Sequence, residues 1–129
     1  MKLNVMFTIA AVYLIASGLF GLIAPAAASA GTLPESAPGM LSMMIRFWGV
    51  AYIGLGLIAW LVRNAEPSKA RDGVTLGVTV FFALHALTSL YGQFTDTSVS
   101  THWVMATVQA LIAVGFFVAG RASMSGKSA

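Results

Sequence analysis

The 129 residues contain no cysteine, which removes a thiol nucleophile, a disulfide framework and any cysteine-built zinc site. Charge is scarce as well. Charged residues make up 9% of the chain, against about 25% in soluble domains, and only four are acidic. None of the four falls inside a long apolar stretch, so the chain has no carboxylate pair within an apolar span, and it has no HExxH helix. The "GLG" of residues 54–56 follows no strand and sits in an apolar run, which excludes a dinucleotide-binding fingerprint.

What the chain has in abundance is apolar sequence. Hydrophobic residues make up 58% of it, and the mean hydropathy is +0.86. Four stretches reach the roughly 20 residues that a helix needs to cross a hydrocarbon core about 30 Å thick. They run approximately over 3–24, 40–62, 73–93 and 102–120. The short connections leave no room for a separate soluble catalytic domain and force neighbouring helices to run antiparallel. The expected fold is all-α, a four-transmembrane-helix up-and-down bundle forming one integral membrane domain over 1–129.

The first stretch imitates a secretory signal, with Lys2 ahead of it and Ala28-Ser29-Ala30 behind. Its apolar run is about 20 residues, beyond the usual signal core of about 7–15, and so it reads as a retained helix. Basic residues set the expected orientation. Lys2, then Arg63, Lys69 and Arg71, then Arg121 and Lys127 lie at one end of the spans, whereas the other two loops carry only Glu35 and Asp96. Excess Lys and Arg mark the cytoplasmic side, which places both termini inside. The pI of about 9.7 therefore reports topology, and nucleic acid is not an expected partner. Pro25 and the run from Pro34 to Gly39 break the chain after the first span, while Asp72 is placed to cap a third helix starting at Gly73. Trp60 at the inner surface and Tyr91, Phe94 and Trp103 at the outer suit interfacial belts.

Counting about six to eight residues in from the outer end of each span, roughly 9–12 Å at 1.5 Å per residue, meets one polar residue on every helix. These are Ser17, Arg46, His85 and Gln109. His85 shares its stripe with Val78, Phe81, Thr88, Ser89 and Gly92, and with Asp96 if the helix continues. Arg46 lies within about 80° of Gly49, Ile53, Gly56 and Trp60, Gln109 shares a face with Ala106, Ala113 and Gly120, and Ser17 and Gly21 form a small-xxx-small pair. Small residues mark close helix approach in lipid, so the polar groups are expected to point inwards. Ser17, Arg46, His85, Ser89 and Gln109 form the candidate ligand-binding set. No catalytic residue is assigned.

Each member has a plainer explanation. An arginine at mid-bilayer costs about 2.5–3.5 kcal/mol on insertion scales, and so calls for a partner or a route to water. Glu35 or Asp96, a lipid phosphate reached by snorkelling, or an anionic or carbonyl-bearing ligand would each serve. His85 as a neutral imidazole has one donor and one acceptor nitrogen with which to tie helices together, and Ser17 and Gln109 suit interhelical hydrogen bonds. Their common depth is what favours a site.

Haem with two histidine ligands is not expected, because His102 lies near the outer surface and His85 about eight residues deeper. Met40, Met43 and Met44 read as packing at a helix start, not as metal ligands. No haem or metal site is expected, and the cofactor is left unspecified. A proton relay from His85 to Asp96 lacks a continuation in the inner half.

The stretch "RFWGVAYIGLGLIAWLVR" (Arg46–Arg63), preceded by a helix ending in "GLIAP" and followed by "HWVMATVQALIAVGF", resembles the small four-helix DoxX-like membrane proteins, particularly branches without an assigned role. The arginine followed by glycines on the second helix is the most specific part. The resemblance implies a four-helix bacterial membrane protein. Some relatives are associated with quinone-linked sulfur oxidation or redox complexes, but no residue pattern here matches a catalytic motif, and those roles are not carried over.

The expected protein is a multi-pass component of the bacterial cytoplasmic (inner) membrane, binding a small amphiphile, a lipid or a quinone-like molecule, in its outer-half polar layer. The alternative is an accessory or assembly subunit of a larger membrane complex, with a membrane-protein partner or further copies of itself and a purely structural polar layer. A subunit of a quinone-linked membrane redox enzyme comes third.

Overall fold

A computed structural model describes residues 2–28, 39–95 and 101–125, the side chains of 101, 102, 124 and 125 excepted. It is all-α. Helices α1 (Leu3–Ile23), α2 (Pro25–Ala28), α3 (Gly39–Val62), α4 (Lys69–Thr95) and α5 (Thr101–Ser125) follow one another, with no strand among the described residues. Four of the five are long and apolar enough to span a membrane, which makes the chain a multi-pass membrane protein.

The residues cluster into two compact units: one is Thr8–Leu61, and the second joins Met1–Phe7 to Val62–Ala129. The first unit is an antiparallel pair of α1 and α3. Gly18 and Gly21 of α1 lie against Gly49 and Ile45 of α3, and Ala11 and Ile15 lie against Gly56. The approach is backbone to backbone: a Cβ added at Gly18 would come within 2.6 Å of the Gly49 carbonyl oxygen, and one at Gly49 equally close to that of Gly18. Lipid tails are as apolar as leucine, so such helices associate through van der Waals packing of this kind and not by escaping water. Of the expected Ser17–Gly21 pair, Gly21 lies against α3, and Gly18 makes the closest backbone approach; Ser17 sits one position round the helix and is half-buried.

The second unit pairs α4 with α5, again antiparallel, and adds the first turn of α1. Phe7 and Phe116 meet edge to face with ring centroids 5.1 Å apart, and Phe82 and Val78 are as fully buried as they are. At one end Thr75 approaches Gly120, and at the other Phe94 and Trp103 lie 6.1 Å apart.

Several helix ends differ from expectation. Helix α4 begins at Lys69, not Gly73, because Ser68 is its cap: the Ser68 hydroxyl accepts the Arg71 N–H at 3.2 Å, and its carbonyl accepts the Asp72 N–H. Asp72 falls in the first turn, where a negative charge suits the helix dipole. Helix α5 runs to Ser125, past the apolar stretch, and Arg121 lies over the Phe117 ring at 5.4 Å. Pro25 ends α1 as expected but also opens the short α2, since a proline lacking its N–H is tolerated at a first helical position. Met40, Met43 and Met44 are exposed instead of packed at the start of α3. Trp60, Tyr91, Phe94 and Trp103 are all exposed, as interfacial aromatics should be.

Candidate functional site

The residues of the expected layer divide between the units. Ser17 and Arg46 belong to the α1–α3 pair; His85, Ser89 and Gln109 belong to the α4–α5 unit.

In the α1–α3 pair, Arg46 Nη1 donates a hydrogen bond to the Leu22 carbonyl oxygen. Leu22 is in the last turn of α1, where carbonyls outnumber intrahelical donors and the helix dipole is negative. The guanidinium thus acts as a cap on the neighbouring helix. It meets there a fixed partial negative charge from backbone, an option not among the carboxylates, lipid phosphates and ligands considered from sequence. The described residues of this pair contain no acid; Glu35, together with Asp96 of the other unit, lies outside the described residues. No hydrogen bond joins Ser17 to Arg46.

The α4–α5 unit carries a polar stripe. His85, Ser89 and Gln93 follow at intervals of four, one above another on the same face of α4. The Ser89 hydroxyl donates across to Gln109 Oε1 at 3.2 Å, and Gln109 is buried among Ala106, Ile112, Ala113 and Phe116 of the α5 face. His85 is half-buried, its ring 4.4 Å from that of Phe81. The structure therefore brings Ser89 and Gln109 together directly and places His85 one turn away.

Gln93 was not among the expected site residues, yet it is the most demanding of the group. It is only 7% exposed, and its Oε1 is buried without a hydrogen-bond partner. An unsatisfied buried acceptor costs about 1–3 kcal/mol, so this oxygen is set to receive a donor. The spacing from His85 and Ser89 was the signal that could have found it.

The neighbouring threonines are used differently. Thr88, on the stripe expected from sequence, is exposed, but its hydroxyl turns back to the Leu84 carbonyl at 2.9 Å. Thr75, Thr79, Thr95 and Thr107 make the same bond to the carbonyl four residues earlier. A hydroxyl satisfied by its own helix can face lipid without a ligand. Ser89 alone of these positions sends its hydroxyl to another helix.

Among the described residues no group of three or more His, Cys, Asp and Glu stands close enough to hold a metal ion. The haem argument rests in part on His102, whose side chain lies outside the described residues. Comparison with known proteins adds no name to this geometry: no family model, no curated protein and no solved structure matches the chain.

Proposed function

We propose that this multi-pass protein resides in the bacterial cytoplasmic membrane with both termini inside, and binds the polar head of a small amphiphile, a lipid or a quinone-like molecule, on the α4–α5 stripe. The reading is carried by the buried, unpartnered Oε1 of Gln93, four residues from a Ser89–Gln109 pair that already crosses the helices. A lipid hydroxyl or amine, or the hydroxyl of a quinone-like molecule in its reduced quinol form, would donate to Gln93, while His85, Ser89 and Gln109 orient it. The tail needs no pocket, because the bilayer already solvates it. Basic residues gathered at one end of the spans support the orientation, and the likeness to DoxX-like proteins supports the bacterial setting. This reading uses the α4–α5 members of the expected set; in the other unit the bond to Leu22 gives Arg46 a use of its own.

That same bond favours a second reading, an accessory subunit in which every polar group serves packing. A quinone-linked redox subunit remains the third. Gln93→Leu separates the first two. If a ligand head sits at Oε1, the variant stays folded and loses most of the lipid or quinone that accompanies the wild-type protein in native mass spectrometry. If the oxygen is merely unsatisfied, the variant melts at a higher temperature and carries the same small molecules, a result that defeats the binding reading. Recovery in a large assembly after mild solubilisation would support the accessory role.

A further inference from the structure

At the basic end of the α4–α5 unit lies a cavity of about 510 Å³, far in sequence from the His85–Gln93 stripe. Three cationic side chains line it, from three separate stretches of chain: Lys2 ahead of α1, Arg63 after α3 and Arg71 in the first turn of α4. Asn4, Asn64 and Ser123 add neutral hydrogen-bonding groups, and no carboxylate is among the described residues that line it. Arg71 is held in place: its Nη2 donates to the Arg63 carbonyl oxygen at 3.2 Å, while its Nε is buried and has no hydrogen-bond partner. One edge of a positioned guanidinium is thus fixed by backbone, and among the described residues no acceptor meets the Nε–H, which a small shift of the side chain would turn to an acceptor in the cavity.

We propose that this cavity is a phosphate-binding site. A phosphate group presents several acceptor oxygens and negative charge, matching a guanidinium fork, a flexible ammonium and amide or hydroxyl donors in one small volume. Its place where four spans end puts it at the depth of lipid headgroups, and it also faces soluble phosphates. The shared chemistry is the phosphate anion; the two sources are an anionic phospholipid and a free phosphate. The site is independent of the proposed amphiphile stripe and stands or falls without it.

The test uses the full chain in a neutral detergent, with phosphatidylglycerol and inorganic phosphate as probes and native mass spectrometry and thermal stability as readouts. Wild-type protein is expected to bind one equivalent of a probe, and Lys2→Gln, at an exposed position that leaves the fold intact, to bind it about tenfold more weakly, the effect of one lost charge-assisted contact. Arg71→Gln should weaken binding further, and Arg71→Lys, which keeps the charge but loses the Nε–H, should restore only part of it. Phosphatidylglycerol retained against excess inorganic phosphate assigns the site to a lipid head; its displacement, with phosphate alone raising the melting temperature, assigns it to a soluble phosphate. If neither probe binds the wild type, or Lys2→Gln and whichever Arg71 variants fold bind as the wild type does, the proposal is wrong.

Discussion

The α1–α3 pair and the α4–α5 unit solve the same problem, holding apolar helices together in an apolar solvent, by opposite means. In α1–α3 the contact is made by missing side chains: Gly18 on Gly49, and Gly56 on Ala11 and Ile15. In α4–α5 it is made by bulky and polar ones, with Phe7 on Phe116 and Ser89 bonded to Gln109, while Gly73 and Gly77 of α4 face open space. Even the charged or polar group held within each follows this division. Arg46 reaches a backbone carbonyl, and Ser89 reaches a side chain. A glycine or polar residue in a membrane span therefore has no fixed meaning until its partner is known. Glycines at Gly49 and Gly77 look alike in the sequence and differ in what an added methyl would strike.

The sharpest way to break this contrast is Gly49→Ala. The new Cβ would lie 2.6 Å from the Gly18 carbonyl oxygen and 3.0 Å from the Leu22 nitrogen, both backbone atoms that cannot swing aside. A loss of about 2–3 kcal/mol is expected in reversible unfolding from mixed micelles, near the top of the range for overpacking. Stability equal to wild type would mean that the α1–α3 contact is not glycine-limited. Arg46→Gln should come next, at about 1–2 kcal/mol, because it removes a charge-assisted bond and a favourable charge at a helix C-terminus. Arg46→Lys should recover part of that loss; an Arg46→Gln protein that unfolds like wild type would remove the cap from the account. The smallest effect belongs to Gly77→Ala. Nothing lies within 4 Å of its added methyl, so the helix gains about 0.5–1 kcal/mol from reduced backbone freedom. A loss there would show that α4 has a close neighbour at that face.

The four spans were legible because the bilayer imposes length and apolarity together, and few other folds produce four such runs in so short a chain. Their ends were less so. Lys69 to Asp72 has charged residues at three of four positions, with no apolar period to betray a helix, and the Ser68 cap explains why α4 starts there. The face of α5 was readable, since Ala106, Gln109 and Ala113 are all buried as their spacing implied. The partner of Arg46 was not, because a backbone carbonyl leaves no trace in residue identity. Gln93 escaped for a different reason: counting depth from the outer end favoured residues further in, whereas the fourfold spacing from His85 and Ser89 names the face directly.

Leu3, Met6 and Phe7 are buried at the start of the first helix, yet the ring that meets Phe7 belongs to Phe116, near the opposite end of the chain. Synthesis completes the glycine-lined α1–α3 hairpin before it supplies this aromatic match. The opening turn of α1 must therefore wait, inserted but incompletely packed, until α5 arrives, and a chain stalled before that point would leave Phe7 without its ring partner.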